Sequence, residues 1–463
     1  MQKEQIFLGM VALKTSARKE ANRFIEDVFS SGIRFVLFNE ESQLHTKIIG
    51  DDLGLDIDWN SCISLSSNSA FSAFINSMGM RVLPSGIKEI SQHLAEKVDN
   101  VPLLVSMFSD STPESVLEMV KLYQLYGEVV AVVGGTLNSR NMAAYEAADV
   151  SVGLGTQPCC FCENCSGQRI DYQYRRTISE EIAQMVVSAQ CAFTLSANAS
   201  LYRILQVVKE ARKLMRNMQL ALVFAVACYL QLTAAAAIDF ALGWPPLLST
   251  GQYSFVVYGV VPLLTVSFLG KPSSSGLMKL LPIKTLHFSI TESGWFLRNH
   301  LCRIAVAVLG LLGSQGFAIR LYSPDLQLGF SWQGQWTAEE EEAFKLVQLV
   351  WVCIWVLGLV PGYLAGFESV DASICSNHKW QLSTVLTTVA TVAAVAGYLP
   401  NCSYAMGQLL SKIWPLVLVW AFWLLAYQLL DHFLKRKERR QYDRLQKTMR
   451  LYFQTKLGMH SPK

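Results

Sequence analysis

The chain has 463 residues, of which 51% are hydrophobic and 16% are charged. Because soluble proteins carry roughly 25% charged residues, this composition excludes an ordinary soluble protein. The formal net charge of +3 is too small to indicate nucleic-acid binding, so we expect no nucleic-acid partner. The 11 cysteines do not form the pattern of a disulfide-rich secreted domain.

Charged residues are distributed unevenly along the chain. They are frequent over 1–216 and almost absent from long runs within 217–434, which places the main boundary near Gln219. We predict four regions: an α/β lobe over 1–175, a stalk or linker helix over 176–217, a transmembrane domain over 218–434, and a basic cytosolic tail over 435–463.

The amino-terminal lobe shows alternating helix and strand patterns. Helices are predicted over 18–30, 45–53 and 113–126, and strands over 33–38, 101–108, 129–133 and 150–154. Apolar strands without polar alternation, separated by helices, are typical of a parallel sheet that is covered on both faces. Ligands bind at the carboxyl ends of such strands, so the predicted binding loops are 39–44 and 134–141.

Two short motifs in the lobe have both a functional and a structural interpretation. Gly134 and Gly135 follow a predicted strand and could cradle a phosphate, or they could form a plain strand-to-helix turn. A cysteine cluster ends in a Cys-x-x-Cys pair, a spacing that can form half of a zinc site. The alternative interpretation is a surface insert with reduced thiols. The cluster consists of Cys159, Cys160, Cys162 and Cys165.

Six segments of the second half are long and apolar enough to cross a membrane, which takes about 20 residues of helix. They are 218–240, 252–270, 301–320, 345–366, 380–399 and 413–434. The chain is therefore predicted to be a multi-pass integral membrane protein with the lipid bilayer as a partner. Buried helices of a large soluble protein are the alternative, but six segments so poor in charge favour the membrane.

Lysine and arginine residues predict the orientation of these spans. They are concentrated before the first span, between the second and third, and after the sixth, and such clusters stay in the cytosol. Both termini are therefore predicted to be cytosolic. Asn401 begins an Asn-Cys-Ser acceptor for N-glycosylation and would lie on the lumenal side. The basic tail could bind anionic lipid, or it could anchor the last span in the ordinary way.

Polar residues inside the predicted spans mark a candidate ion pathway. Pro262 interrupts the second span and frees backbone carbonyls, which occurs at ion sites and also at ordinary kinks. The pathway residues are Gln231, Thr233, Tyr258, Pro262 and Thr265. Structural packing is the alternative for these groups. Asp239 and Arg303 lie near span ends, where we expect their side chains to reach the interface.

The order of elements and several motifs resemble the carboxyl-terminal half of P-type cation-transporting ATPases. STPESV at 111–116 resembles the family's SPEQK helix. The segment 134–141, followed by the Ala-Asp dipeptide that ends at Asp149, resembles the family's GDGxND hinge. The segment 204–219 resembles the stalk that precedes the family's last six membrane helices. The resemblance implies a haloacid-dehalogenase-like lobe, here an incomplete phosphorylation domain. Its degenerate hinge would comprise Gly134, Gly135, Asn138, Asn141 and Asp149.

A nearer resemblance is to the transmembrane protein 94 family, a divergent branch of P-type-ATPase-like membrane proteins. It rests on VDNVPLLV at 98–105, PLLST at 246–250 and FQTKLGM at 453–459. This resemblance implies a location in the endoplasmic reticulum and a part in cation transport, with Mg²⁺ as the transported ion.

The chain departs from P-type ATPases in the residues of the phosphorylation cycle. It has no DKTG nucleophile motif and no aspartate between Glu128 and Asp149, and Val116 stands where the SPEQK lysine would be. Because phosphoryl transfer needs these groups, we expect no catalytic residue and no certain cofactor in this chain. Two alternatives stay open: a noncatalytic scaffold or regulatory subunit, and a piece that works with a missing amino-terminal half or a partner subunit.

Overall fold

The computed structural model describes residues 17–18, 20–58, 60–66, 83–136, 139–155, 186–187, 189–195, 199–272, 276–281, 290–322, 345, 348–349, 351–353, 355–356, 377–398 and 406–454. The chain divides into two compact units. The first, called the α/β unit, comprises Met1–Val207, Met278–Pro282 and Arg450–Lys463. The second, called the helical unit, comprises Val208–Leu277 and Ile283–Met449.

Short helices and strands alternate along the α/β unit. The helices are α1 (Ala21–Ser30), α2 (Gln43–Asp52), α3 (Ile87–Ala95), α4 (Val101–Leu104), α5 (Pro113–Leu125) and α6 (Met142–Ala147). The strands are β1 (Leu37–Phe38), β2 (Cys62–Ser64), β3 (Met107–Ser109), β4 (Ala131–Gly135), β5 (Val150–Leu154) and β6 (Phe193–Leu195). The predicted alternation of helix and strand is confirmed.

The described strands form two three-stranded sheets with parallel pairing. The first sheet has the order β1-β3-β2, with Leu37 and Cys62 both paired to Met107. The second has the order β4-β5-β6, with Ala131 paired to Val150. Because parallel strands end at the same edge, each sheet presents its carboxyl-terminal loops together.

Local signals explain why α5 forms where the sequence predicts a helix. The Thr112 hydroxyl accepts a hydrogen bond from the Ser115 N–H, and the Ser115 hydroxyl accepts one from the Thr112 N–H, which forms a capping box. Pro113 occupies the first turn, where its missing N–H costs nothing. Gly127 follows the helix with φ of 78°, a conformation that favours glycine.

The predicted strand over 101–108 is wrong in its first half. Val101–Leu104 is the helical turn α4, and the strand β3 starts only at Met107. The Asp99 carboxylate accepts a hydrogen bond from the Val101 N–H at 3.0 Å, and Pro102 lies in the first turn. Both features start a helix, and they override the apolar run.

Four elements of the α/β unit have no counterpart in the prediction. They are β2, α3, α6 and β6. The two strands have three residues each, too few to show a period. The helix α3 buries Ile90 and Leu94 on one face, and this short amphipathic pattern carried its signal in the sequence.

The core of the first sheet lies between its strands and the helices α3 and α5. Ile63, Ile90, Phe108 and Met119 are fully buried there. The ring of Phe38 stacks on that of Phe108, with the ring centroids 5.1 Å apart. Burying each side chain of this size contributes about 1.5–3 kcal/mol, so this core holds the carboxyl edge of the sheet in place.

The described part of the helical unit is almost entirely helical. Its elements are α7 (Tyr202–Leu242), α8 (Thr250–Ser254), a π-helical segment (Phe255–Val260), α9 (Val261–Ser267), α10 (Ile290–Tyr322), α11 (His378–Tyr398) and α12 (Met406–Gln454). The first turns of α7 belong to the α/β unit, which ends at Val207.

Four helices within the described ranges are long and apolar enough to cross a membrane. They are Tyr202–Leu242, Thr250–Gly270, Arg298–Phe317 and Trp414–Leu451, and they match the first, second, third and sixth predicted spans. The fifth predicted span coincides with the helix α11. Most of the fourth, 345–366, lies outside the described residues. The structure thus supports a multi-pass membrane protein, and the number of six spans stays a prediction.

Aromatic rings and one glycine hold the helices of this unit close together. The ring centroids of Phe224 and Trp380 lie 5.1 and 5.3 Å from that of Phe268, which joins α7, α11 and the end of the second span. A Cβ atom at Gly310 would lie 2.0 Å from the Trp423 ring. Glycine at this position therefore allows the close approach of α10 and α12.

Candidate functional site

The carboxyl edge of the first sheet gathers polar side chains around Asp110. Its carboxylate accepts hydrogen bonds from the Ser64 hydroxyl at 2.7 Å and the Ser109 hydroxyl at 3.1 Å. The Asp110 N–H donates to the Glu41 carbonyl at 3.0 Å, and the residue has φ of 50°, which aspartate tolerates better than most residues. The carboxylate is thus held by both neighbouring strand ends.

The loop after β1 is fixed by its own hydrogen bonds. The Asn39 side-chain amide donates to the Thr46 hydroxyl at 3.2 Å, and the Asn39 carbonyl accepts from the Ser111 hydroxyl. The Asn39 side-chain amide is therefore engaged with α2.

An ion pair joins the two predicted binding loops. The Arg140 guanidinium contacts both carboxylate oxygens of Glu40, and both side chains are exposed. The loops after β1 and β4 thus meet although their strands belong to different sheets. Sequence reasoning did not find this pair, since nothing local in the sequence connects residues 40 and 140.

Gly134 has a steric role at the degenerate hinge. A Cβ atom there would lie 2.6 Å from the Tyr145 hydroxyl and 2.9 Å from the Asn141 amide nitrogen. The same hydroxyl donates to the Gly135 carbonyl at 3.0 Å, and burial raises the pKa of Tyr145. This contact of α6 with β4 favours the strand-to-helix turn over the phosphate cradle.

Asp149 lies at the opposite edge of the second sheet from the glycines. Its carboxylate accepts a hydrogen bond from the Val130 N–H at 2.8 Å, just before β4 begins. The structure therefore brings Gly134, Gly135 and Asn141 together and keeps Asp149 apart from them. Asp149 acts here as a cap on the amino end of a strand.

Gln231 is the predicted pathway residue that lies deepest in the helical unit. It is 0% exposed, and among the described residues neither its amide nitrogen nor its amide oxygen has a hydrogen-bond partner. It shares the buried face of α7 with Phe224 and Cys228. A buried amide without partners destabilises the folded state by about 1–3 kcal/mol, and a bound ligand that contacts the amide removes this penalty.

Pro262 and the π-helical segment before it form a local break in the second span. In π-helical geometry the N–H of residue 262 would bond to the carbonyl of Val257, and proline has no such donor. The Tyr229 hydroxyl of α7 donates to that carbonyl at 3.3 Å instead. The break is therefore stabilised by a side chain of the neighbouring helix.

The other pathway residues do not converge on Gln231. Tyr258 is 81% exposed, and Thr233 is exposed, with its hydroxyl bonded to the Tyr229 carbonyl of its own helix. Thr265 is half-buried, and its hydroxyl donates to the Val261 carbonyl one turn earlier. Exposed side chains and hydrogen bonds within one helix are typical of structural packing, which was the alternative to an ion pathway for these residues.

Two charged residues near span ends are buried within the helical unit. Arg303 is fully buried and donates to Asp431 and Glu438 of α12. Asp239 is also buried, and one oxygen of its carboxylate accepts a hydrogen bond from the Leu247 N–H. Their position at the membrane interface stays a prediction.

Several predicted site residues lie outside the described residues. They are Asn138, Cys159, Cys160, Cys162, Cys165 and Asn401. Within the described ranges, no group of three or more His, Cys, Asp or Glu side chains is arranged to hold a metal ion. The zinc and glycosylation sites stay predictions.

The fold defines a class: a multi-pass membrane protein with a parallel-sheet α/β unit. The chain is similar to human transmembrane protein 94, with 25% identity over 99% of this chain and 40% of that protein. It is similar to mouse transmembrane protein 94, with 26% identity over 69% of this chain and 28% of that protein. These comparisons confirm the resemblance predicted from the motifs.

A more distant similarity connects the chain to P-type pumps. "Calcium-transporting ATPase 2, endoplasmic reticulum-type" of Arabidopsis thaliana is 27% identical over 32% of this chain and 12% of that protein. No protein-family profile matches the chain. The chain spans 40% or less of the length of these relatives.

Proposed function

We propose that this chain takes part in cation transport, with Mg²⁺ as the transported ion, as a P-type-ATPase-like protein of the endoplasmic reticulum. The proposal includes six membrane spans, cytosolic termini and a haloacid-dehalogenase-like α/β unit. It assigns no phosphorylation chemistry to this chain, since the sequence lacks the nucleophile motif and the hinge aspartates.

The observation that carries the proposal is the unpartnered amide of Gln231. Its oxygen is a ligand type that Mg²⁺ and Ca²⁺ accept, and it lies one helix away from a broken second span. Buried polar groups in membrane helices commonly mark ion pathways. Mg²⁺ keeps several of its waters, so a neutral amide oxygen is a suitable partner for a hydrated ion.

The relatives support the cation and the compartment. The Arabidopsis protein is named as a calcium-transporting ATPase of endoplasmic reticulum type, and its similarity to this chain covers 32% of the residues. Calcium and magnesium are both hard divalent cations that bind oxygen ligands, so a related bundle is suited to either.

A flux assay tests the proposal. The chain is reconstituted in liposomes that enclose a Mg²⁺-sensitive dye, and Mg²⁺ entry is recorded. We expect Gln231→Leu to lower the initial rate at least about fivefold, because the amide oxygen is lost from the coordination path. Thr233→Val is the matched control on the same helix, and its rate should equal that of the wild type.

Each contrary result has a distinct meaning. An unchanged rate in the Gln231→Leu variant removes this residue from the pathway. No Mg²⁺ entry with the unmodified chain contradicts transport by this chain alone and favours the alternative below.

The alternative is a noncatalytic scaffold that binds a further polypeptide segment through its sheets. Among the described strands, β1 and β4 each lie on the outside of their sheet, and Arg140 and Glu40 join the loops that follow them. Val133 of β4 is exposed. An exposed apolar strand of this kind is a template for pairing with another strand.

Amide hydrogen exchange tests this alternative. The chain is mixed with the purified amino-terminal part of human transmembrane protein 94, and exchange of β4 is followed. Binding should slow exchange in β4, and Val133→Lys should abolish the effect. Val129→Lys is the matched control, since Val129 is exposed but lies outside the strand. Unchanged exchange in β4 would count against the scaffold.

A further inference from the structure

Three oxygen-bearing side chains from three elements converge near the loop over 243–249. They are Asp239 near the end of α7, Tyr253 in α8 and Gln315 in α10. Within the described ranges, each has a buried oxygen without a hydrogen-bond partner: Asp239 Oδ1, Tyr253 Oη and Gln315 Oε1. Asp239 is 2% exposed and Gln315 is 0% exposed.

The loop holds these side chains in fixed orientations. Asp239 Oδ2 accepts from the Leu247 N–H at 3.2 Å, and Gln315 Nε2 donates to the Pro245 carbonyl at 2.7 Å. Asp239 Oδ2 and Gln315 Nε2 are thus bound to the loop. Asp239 Oδ1 and Gln315 Oε1 are the atoms left for another partner. Gln348 Nε2 donates to the Pro246 carbonyl at 2.7 Å and ties down the same loop.

All three groups are tied to the same loop. Asp239 binds it at Leu247 and Gln315 binds it at Pro245. The Tyr253 N–H donates to the carbonyl of Ser249 at the end of the loop, at 2.9 Å.

Among the described residues, no lysine or arginine lies close enough to compensate the charge of the Asp239 carboxylate. A buried carboxylate without a positive partner is strongly unfavourable, and so are two further buried oxygens without donors. A bound cation satisfies all three oxygens at once.

We propose that Asp239, Gln315 and Tyr253 form a binding site for a hard divalent cation that retains some of its waters. One carboxylate and two neutral oxygens match the ligands that Mg²⁺ or Ca²⁺ takes from proteins. The site is separate from Gln231, which lies eight residues earlier on α7, about 12 Å along the helix axis. It stands whether or not the chain transports ions.

Manganese binding tests the site, because Mn²⁺ accepts the same oxygen ligands as Mg²⁺ and its electron paramagnetic resonance spectrum reports the bound fraction. The full chain is purified in detergent and titrated with Mn²⁺, and Mg²⁺ is then added as a competitor. We expect one site per chain, weakened at least about tenfold by Asp239→Asn, which removes the charge of the carboxylate ligand.

Two further variants separate binding from folding. Tyr253→Phe removes only the hydroxyl and should weaken Mn²⁺ binding by about threefold or more. Gln348→Met removes one loop anchor and none of the three ligand oxygens, so it should weaken Mn²⁺ binding less than Tyr253→Phe does. Gln231→Leu should also leave this affinity unchanged, which distinguishes the site from the proposed pathway.

Equal Mn²⁺ affinity in the wild type and in folded Asp239→Asn would overturn the proposal, and so would the lack of any bound Mn²⁺ at millimolar concentration. A loss of affinity in Gln348→Met as large as in Tyr253→Phe would also overturn it. The last result would show that loop anchoring, and not the ligand oxygens, controls binding.

Discussion

Arg303 Nε lies 2.9 Å from Asp431 Oδ1 and joins α10 to α12 inside the helical unit. Two further bonds run from the guanidinium to the oxygens of Glu438, at 2.7 and 3.0 Å. Lys435 Nζ lies 3.2 Å from Asp431 Oδ2, so two positive and two negative groups form one network. A buried arginine is tolerated in such a place only with this degree of pairing.

Arg303→Met should destabilise the helical unit strongly. The substitution leaves Asp431 and Glu438 without their main partner, and removing one member of a buried pair costs about 3–5 kcal/mol. The measurement is thermal unfolding of the purified chain in detergent, followed by size-exclusion chromatography. Arg298→Met, an exposed arginine on the same helix, should change stability by no more than about 0.5 kcal/mol. Equal melting temperatures for the two variants would contradict a stabilising network.

Tyr229 and Pro262 should be coupled in stability. Tyr229→Phe removes the donor to the Val257 carbonyl and should cost about 0.6–1 kcal/mol, which is typical of such bonds between membrane helices. In a Pro262→Ala background the backbone N–H at 262 is restored, so the same substitution should cost close to nothing. A double-mutant cycle measured by unfolding in detergent gives this coupling energy. Independent, additive effects would mean that the hydroxyl does not replace the proline's missing donor.

Gly134→Ala should destabilise the α/β unit. The added methyl group would collide with the Tyr145 hydroxyl at 2.6 Å, and overpacking of this kind costs about 1–3 kcal/mol. Hydrogen exchange in β4 measures the loss. Adding Tyr145→Phe removes the colliding oxygen and should recover part of the protection. If Gly134→Ala alone leaves exchange unchanged, the tight contact between α6 and β4 is not present.

Tyr123 should make the α/β unit sensitive to alkaline pH. Burial raises the pKa of its hydroxyl, which has no hydrogen-bond partner in the part of the chain that the structure describes. The folded state therefore keeps the proton at a pH where the unfolded state loses it. Stability therefore falls as pH rises above the ordinary tyrosine pKa of about 10. Tyr123→Phe should reduce this fall in thermal unfolding compared at about pH 9 and pH 11. It should be neutral or slightly stabilising near neutral pH.

The neighbouring Tyr126 supplies the control for this experiment. It lies in the turn after α5 and is exposed, so Tyr126→Phe should show the same alkaline loss as the wild type. An identical loss in Tyr123→Phe and Tyr126→Phe would show that burial of Tyr123 does not control the alkaline transition.

Much of the architecture follows from local features of the sequence. Apolar runs of about 20 residues mark the spans, because length and hydrophobicity alone decide whether a helix can cross a bilayer. The Thr112 capping box, Pro113 and Gly127 mark α5, because each acts on backbone groups within a few residues. The apolar strands β4 and β5 indicate a parallel sheet for the same local reason.

Tertiary packing alone decided where the polar groups of the spans point. The sequence placed Tyr258 in a pathway, yet its side chain is exposed. It placed Arg303 near a span end and did not indicate its partner, which lies 128 positions away. Asp239 and Gln315 likewise meet through the loop at Pro245. A helix has several faces of similar composition, and only the packing of neighbouring helices selects the face that is buried. Local sequence patterns carry no information about such distant partners, because the free energy of each contact depends on the positions of both helices.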